Sequence, residues 1–509
     1  MSLLCRDVIM RRQGAVSLLT LLILIIQWIS STVASAQTTI IPSLTVSERY
    51  DSNIFSAPKS LLRPGSKPED FITTVAPQIN ISHAGSLVSG SIIGTGLVTK
   101  YLNNPSRDFT GYSTSGLLDL TEAAHQVSQR ISFLSVRGSY RSTPSTTGFG
   151  AAGGGLGTGF GSTSGGVLET GQVTNRASRQ LYNLIVSGGY QLTGLTSLQA
   201  SYNYTQVSFG EQDAQSGGVS NPLFNTSAHR GSTSINTQIS PRDTLGATAL
   251  MSHFIQGQSG GQGNGRGSFT TITETLDWSR RWTQQLRTTL RGGGSLKLPV
   301  GSDIPGQSTK SQLVPTVSAS MTYTSFSEEL RDAGASGPFD NLLPLAGNLS
   351  PGGIMPPGAY TVTANYRYGL GPSYAFAAGP LKVHVLGVRA AGGITSNLSG
   401  LAGLNYSHGT RSSPTSTFDT LGLTVGAQYL IGPVLASLTY NWLFYSREQD
   451  PSLSNQSTQY EFSKKMVILS LSYVFNTPSF FREGISFPSG AGTGSSSPGD
   501  GSGTLRQEE

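Results

Sequence analysis

The sequence predicts an all-β protein, a transmembrane up-and-down antiparallel β-barrel of about 18 strands, with about 16 as the fallback count. Three observations predict it. Apolar and polar residues alternate with period two in many separate windows. Connections between those windows alternate between short and long. Only 12% of the 509 residues are charged, and beyond the N-terminus no stretch is continuously apolar for the roughly 18 residues a spanning helix needs. The 64 glycines keep no three-residue period, which excludes collagen, and 19 Tyr and 20 Phe spread along the chain exclude a disordered polymer.

The N-terminus reads as a secretory leader. Arg6, Arg11 and Arg12 precede the apolar run Ala15–Ile29, and Ala34-Ser35-Ala36 is a small-x-small cleavage site. The expectation is a signal peptide over 1–36, cut between Ala36 and Gln37, with Ala34 and Ala36 as its recognition residues. The single cysteine, Cys5, lies inside that leader, so the exported chain is expected to be free of disulfides. The formal net charge of +6 is too mild for a nucleic-acid surface.

The barrel is expected over 37–475. In Leu421–Ile431, Leu421, Leu423, Val425, Ala427, Tyr429 and Ile431 share one face, and Gly422, Thr424, Gly426 and Gln428 the other. Leu198–Thr205, Tyr182–Leu192, Leu286–Arg291 and Ala436–Tyr445 follow the same rule. In hydrocarbon every backbone polar group needs a partner within the protein, so strands oily on one face must close into a barrel. Short turns are expected near His83–Ser86, Thr193-Gly194, Pro241-Arg242, Trp282-Thr283, Thr395–Asn397 and Gly432-Pro433. Long connections are expected over Ser56–Glu69, Thr143–Thr174, Glu211–Phe224, Gln256–Gly267, Pro299–Lys310 and Glu448–Gln459. Short periplasmic turns and long outer loops are the habit of bacterial barrels. Ser325–Gly358, with five prolines and a helical reading over Ser327–Arg331, is long where a short turn is due, and reads as a periplasmic excursion or an inward-folded plug. Tyr101, Tyr140, Tyr190, Phe209, Trp278, Trp282, Tyr445, Tyr473 and Phe475 are expected as aromatic girdles at the two interfaces.

The last strand, Met466–Phe475, places Val467, Leu469, Leu471, Tyr473 and Phe475 on one face. Leu469, Leu471, Tyr473 and Phe475 resemble the terminal signal by which barrel-assembly machinery recognises its substrates, although a Gly/Ser/Pro-rich tail, 476–509, follows and is expected to be disordered. At the start, Ser43–Phe55 reads SLTVSERYDSNIF. It resembles the opening strand of outer-membrane barrels of the β-barrel porin 2 type and of barrels associated with exopolysaccharide loci. Pro241-Arg242-Asp243 and Ser279-Arg280-Arg281-Trp282 resemble that group's periplasmic turns. The resemblance implies a bacterial outer-membrane barrel serving polysaccharide secretion, with the assembly machinery and outer-membrane lipid as partners.

Candidate chemistry is sparse. His83, His125, His229, His253, His384 and His408 show no metal-ligand spacing and read as solvated turn or loop residues. Without cysteine a structural zinc site is not expected. The GxSxG match at Gly257–Gly261 lacks the strand-to-helix turn a nucleophile elbow requires, and the Gly-rich Gly148–Gly166 lacks the context of a phosphate-binding loop. Asp51 and Asn53 read either as a calcium pair or as a polar rim. No catalytic residue, metal or cofactor is expected, and the chain is read as a non-enzyme. Arg137, Arg141, Arg287, Arg291 and Arg367 fall on the polar register of their strands and are expected to line the lumen, because a charge facing lipid at mid-depth costs about 2–4 kcal/mol. They would either favour anions or pair with Asp119, Asp277 or Glu274. The expected function is a water-filled pore for solutes, small anions among them, or for export of a polysaccharide, including an acidic one. The alternative is a non-conducting scaffold whose long loops bind surfaces.

Overall fold

The structure, a computed structural model, describes residues 37–56, 58–59, 62, 65–145, 177–209, 224–258, 266–302, 311–325, 355, 357–371, 381–412, 415–449 and 460–475. The chain enters through β1 (Gln37–Asp51), β2 (Asp70–Ala84) and β3 (Ser89–Tyr101), followed by a one-turn 3-10 helix at Pro105–Arg107. Next come β4 (Phe109–Asp119), the short helix α1 (Thr121–Val127), β5 (Ile131–Ser145) and β6 (Ala177–Gln191). The middle holds β7 (Thr196–Phe209), β8 (Phe224–Gln238), β9 (Asp243–Gln258), β10 (Arg266–Arg281), β11 (Leu286–Ser302) and β12 (Gln312–Thr324). The rest is β13 (Tyr360–Gly371), β14 (Leu381–Gly393), β15 (Leu398–Ser412), β16 (Thr415–Ile431), β17 (Val434–Gln449) and β18 (Tyr460–Val474).

Each strand pairs antiparallel with its sequence neighbour, and β1 pairs with β18, so one 18-stranded sheet closes on itself. Following the registers once round the ring returns to β1 about 22 residues further along; with this strand number, that stagger tilts the strands by about 40° and gives a backbone cylinder about 36 Å across. Directly opposed residues share a face, so the registers assign every side chain. The windows read as oily all face outward: Tyr202, Leu184, Val425 and Leu438 are exposed on the outer surface, as are Val467, Leu469, Leu471, Tyr473 and Phe475 of the last strand. This belt replaces the conventional core. Among the described residues no helix is long and apolar enough to cross a membrane. The strands do the crossing.

The short turns lie at one end with Gln37 and Phe475. Several are closed by a hydroxyl at the first turn position. Thr193 Oγ1 accepts the Leu195 and Thr196 amides, Thr283 Oγ1 those of Gln285 and Leu286, and Ser240 Oγ those of Arg242 and Asp243. Gly432 alone among these turns needs a left-handed backbone (φ 57°), which lets Gly432-Pro433 join β16 to β17 in two residues. The helix α1 at this end was not expected; Asp119 Oδ1 accepts the Thr121 amide and starts it. At the opposite end the connections are long except between β15 and β16, where only 413–414 intervene. Thr143–Ser145, Gln256–Gln258 and Pro299–Ser302, read as loop, are strand.

Two girdle assignments are corrected. Tyr101 and Tyr445 face inward and are buried, because they share the register of Ile72 and Phe462 on the inner wall. Tyr140, Tyr190, Trp278, Tyr473 and Phe475 do face outward, Trp282 stands in its turn against Trp278, and the side chain of Phe209 lies outside the described ones. The helical reading of Ser327–Arg331, the Gly148–Gly166 loop, the tail and the leader also lie outside the described residues.

The inner wall carries an unexpected apolar patch of Val383, Phe418, Leu443, Tyr445 and Phe462. The Phe418 ring lies on Gly409 of the neighbouring strand, where a Cβ would overlap it. Gly409→Ala should therefore destabilise the barrel by about 1–3 kcal/mol by overpacking, read as a lower urea midpoint. Gly403→Ala, whose Cβ would meet only Val388 O at 3.8 Å, should leave that midpoint unchanged.

Candidate functional site: the inward face

The five arginines read as lumen-lining all stand at inward register positions. Arg137 opposes Leu117 and Ile185, and is exposed within the cylinder. Arg141 opposes Ser113 and Leu181. Arg287 donates to Ser279 Oγ at 3.0 Å. Arg291 pairs with Asp277, its second nitrogen at 3.3 Å from Oδ2. Arg367 shares a cross-strand row with Arg291, with Ser318 between them.

Among the described residues, sequence reading missed further inward cations: Arg49, Arg179, Arg281 and Lys464 stand at inward register positions, and so do three more. Arg230 lies opposite Ser252 and donates to its Oγ at 3.2 Å. Arg389 opposes Thr363 and Gly403. Lys297 is buried over the Phe269 ring at 5.7 Å. Arg291 and Arg367 thus bring guanidinium groups from β11 and β13 to one cross-strand row of the inner wall.

Acids are few on this face. Among the described residues the inward strand positions hold only Asp51, Asp70, Asp119 and Asp277 as carboxylates. Asp119 caps α1 at the short-turn end. Asp51 and Asp70 sit at the long-loop end. Only Asp277 lies among the arginines, held by Arg291 and by Thr248 Oγ1 at 2.8 Å. Pairing holds for Arg291, and among the described residues the inward strand positions carry more cations than carboxylates. Asp277→Asn should raise the chloride-to-potassium permeability ratio up to about sevenfold, since a unit charge about 7 Å away in water is worth about 0.6 kcal/mol to each ion with opposite signs; the reversal potential in a salt gradient reads it.

Glu274, counted among possible lumenal partners, is corrected. It opposes Ala249 and Gly294 on the outward face, between Ile272 and Leu276. The histidines are corrected too. His229 opposes His253 and His384 opposes His408, as cross-strand pairs inside strands on the outer face. Each pair has tyrosine neighbours: Tyr202 OH lies 2.8 Å from His229 Nδ1, and Tyr366 OH 3.0 Å from His384 Nδ1. His83 ends β2 and His125 lies in α1. Among the described residues no group of three or more His, Cys, Asp or Glu could hold a metal.

The SLTVSERYDSNIF stretch forms the seam. Lys464 of β18 donates to Asp51 Oδ2 of β1 at 2.9 Å, with side chains only 3% and 2% exposed. It also reaches Ser56 Oγ at 3.4 Å. Asp51 Oδ1 accepts the Asn53 amide, and Ser52 exchanges hydrogen bonds with the Lys465 backbone. Asp51 is thus occupied by a lysine, in line with a polar rim. Asp70 beside it binds the Asn103 amide and the Asn104 side chain, tying the β3–β4 connection to the same corner.

No family model matches this sequence, and no curated protein is significantly similar to it. Among solved structures it is similar to the outer membrane protein OpdK from Pseudomonas aeruginosa, at 9% identity, covering 86% of this chain and 99% of that one, with a TM-score of 0.37. It is also similar to the FrpB iron transporter from Neisseria meningitidis, at 7% identity over 86% of this chain and 81% of that one, TM-score 0.42. A third is the ferric-catecholate import receptor Fiu from E. coli K12, at 9% identity over 85% and 81%, TM-score 0.41. The fold established by this chain's own registers is a closed 18-stranded antiparallel barrel.

Proposed function

We propose that this chain is an outer-membrane barrel whose water-filled lumen passes solutes, with a preference for anions. The observation that carries the reading is the inward charge: Arg137, Arg287, Arg291 and Arg367 stand at inward register positions, and among the described residues Asp277 is the only carboxylate on an inward strand position near them. Passage needs width and lining, and a cylinder of about 36 Å leaves an aqueous channel once side chains are subtracted. A low-dielectric wall focuses the field of such a cluster and raises the local anion concentration. A narrower form of the reading is export of an acidic polysaccharide, which would bind through its carboxylates to successive arginines. The likeness of Ser43–Phe55 to exopolysaccharide-associated barrels supports that form, while the residues themselves are engaged in the seam.

Leu469, Leu471, Tyr473 and Phe475 form an exposed outward file on the last strand, which supports their reading as the signal for the assembly machinery. The test of the pore is single-channel recording of the refolded barrel in planar bilayers. Discrete conductance with chloride preferred over potassium is expected. A heat-modifiable, folded barrel that never conducts would sink the reading in favour of a scaffold.

A further inference from the structure

Glu274 is an outward carboxylate for which the lumen has no use. It stands midway along β10 (Arg266–Arg281), so its side chain leaves the cylinder at the middle of the apolar belt. On the strands beside it, Met251 and Leu296 face outward on the long-loop side, and Leu245 and Leu290 on the short-turn side. Among the described residues no side chain pairs with it. An ionisable group at that depth costs stability unless a partner meets it, and in membrane proteins such groups mark working contacts.

The surface around this carboxylate is uneven. Leu276 is 72% exposed, whereas Leu404, Val425, Leu438 and Leu469 on β15–β18 lie between 46% and 52%. Leu276 stands out because its neighbours are small: Ala247 and Gly292 oppose it directly, and Ala249 and Gly294 oppose Glu274 in the next row. Gly231 extends the low ground to β8. A Cβ at Gly231 or Gly292 would meet nothing within 4 Å, so packing within one barrel does not call for glycine there. Glycine inside a strand weakens it and often marks the close approach of another backbone. Fluid acyl chains adapt to any relief, whereas two rigid surfaces gain contact where ridge meets hollow.

These features complement themselves. A two-fold axis along the membrane normal, running between β9 and β10, sets β10 of one copy against β9 of the other. Leu276 then enters the hollow at Ala247 and Ala249 of the second copy, and the reciprocal contact forms with it. Thr233 lies in the same cross-strand row as Glu274. On its own barrel it is two strand spacings away, about 10 Å, too far to serve the carboxylate. The axis brings the Thr233 hydroxyl of the second copy to it instead, as donor. The strands β7–β11 span about 20 Å and the belt is about 25 Å tall. Contact there covers about 500 Å² on each copy, about 1,000 Å² in all, the size a specific interface requires. We propose that two copies of this chain associate side by side in the membrane through the outer faces of β8–β11, with Glu274 of each accepting a hydrogen bond from Thr233 of the other. The association does not depend on conductance.

Cys5 is the single cysteine, so a Cys5→Ser background allows clean cross-linking. In outer-membrane vesicles, Ala249→Cys treated with a short bis-methanethiosulfonate reagent should give a covalent dimer of twice the chain mass, because Ala249 lies beside the axis. Val425→Cys, outward on β16, should give at least about tenfold less. No dimer at Ala249→Cys would overturn the proposal, as would an equal yield at Val425→Cys, the mark of random collision. A product of any other mass would also overturn it, in favour of a different protein on this face. Adding Gly292→Leu, which fills the hollow, should lower the Ala249→Cys yield about tenfold. Glu274→Leu should do the same, and Glu274→Gln, which keeps the hydrogen bond, should retain most of the yield. Unchanged yields in Gly292→Leu or Glu274→Leu would count against the interface in the same way. Heat-modifiable gel mobility shows that each variant is folded. Should Gly292→Leu fail to fold, Leu276→Ala, which removes the ridge, takes its place with the same loss expected. A pair that cross-links but never conducts would sink the pore and keep the interface.

Discussion

Replacing Lys464 by alanine should cost the barrel about 3–5 kcal/mol, because it strands the carboxylate of Asp51 in a position from which water is excluded. The lysine and the aspartate are both nearly inaccessible and lie 2.9 Å apart. Removing the cation leaves the Asp51 carboxylate with the Asn53 amide as a donor. The exposed pair Lys100–Asp108, with the lysine side chain 67% exposed, sets the contrast: Lys100→Ala should cost no more than about 1 kcal/mol, as surface pairs do. The double variant Asp51→Asn with Lys464→Met should recover most of the loss, since a neutral pair of similar volume avoids the desolvation of two charges. Urea midpoints of barrels refolded into lipid vesicles give all of these values. A Lys464→Ala midpoint equal to that of the unaltered barrel would show that Asp51 is not held by this lysine.

In the proposed pore, reversing the charge at Arg230 and Arg367 together should turn the preference for anions into one for cations. Each guanidinium acts on a passing ion across roughly 7 Å of water for about 0.6 kcal/mol, with opposite signs for anion and cation, so exchanging one arginine for glutamate changes the ion ratio by up to about fiftyfold, and two by more than about a thousandfold. Arg291 should be the weaker site, because Asp277 already neutralises it. Arg287→Glu, at the short-turn end, should shift selectivity least, since the wide mouth there is screened by salt within about 10 Å. Reversal potentials in asymmetric potassium chloride decide the matter, and an unchanged sign for the double variant would remove the arginines from the explanation of selectivity.

The outward faces were legible because hydrocarbon imposes a continuous apolar requirement on them. Leu421 to Ile431 and Ala436 to Phe444 could be read as a period-two code without knowing any neighbour. Inward faces obey no such rule. Val383 and Val385 share the inner register of Arg389, so β14 is apolar on both sides near that arginine and its register was hidden. In β8 the reverse holds: Ser227, His229, Gly231 and Thr233 face outward, the strand lacks contrast, and Arg230 went unnoticed. Tyr101 and Tyr445 were misassigned because an aromatic near a strand end satisfies either a membrane interface or a packed inner patch, and only the register decides. The pairing of Asp51 with Lys464 had no local signal at all, since it depends on which two strands meet when the ring closes.

That meeting has a consequence in time. Thr45 and Ser472 touch although 427 residues separate them in the chain, whereas every other strand finds its mate next door. Loop-closure entropy makes such a contact the slowest to win by chance, so the hairpins are expected to accumulate first and the ends to join last. The lysine and aspartate buried at that junction can be desolvated together only at this final step, and the bond between them therefore marks a finished cylinder.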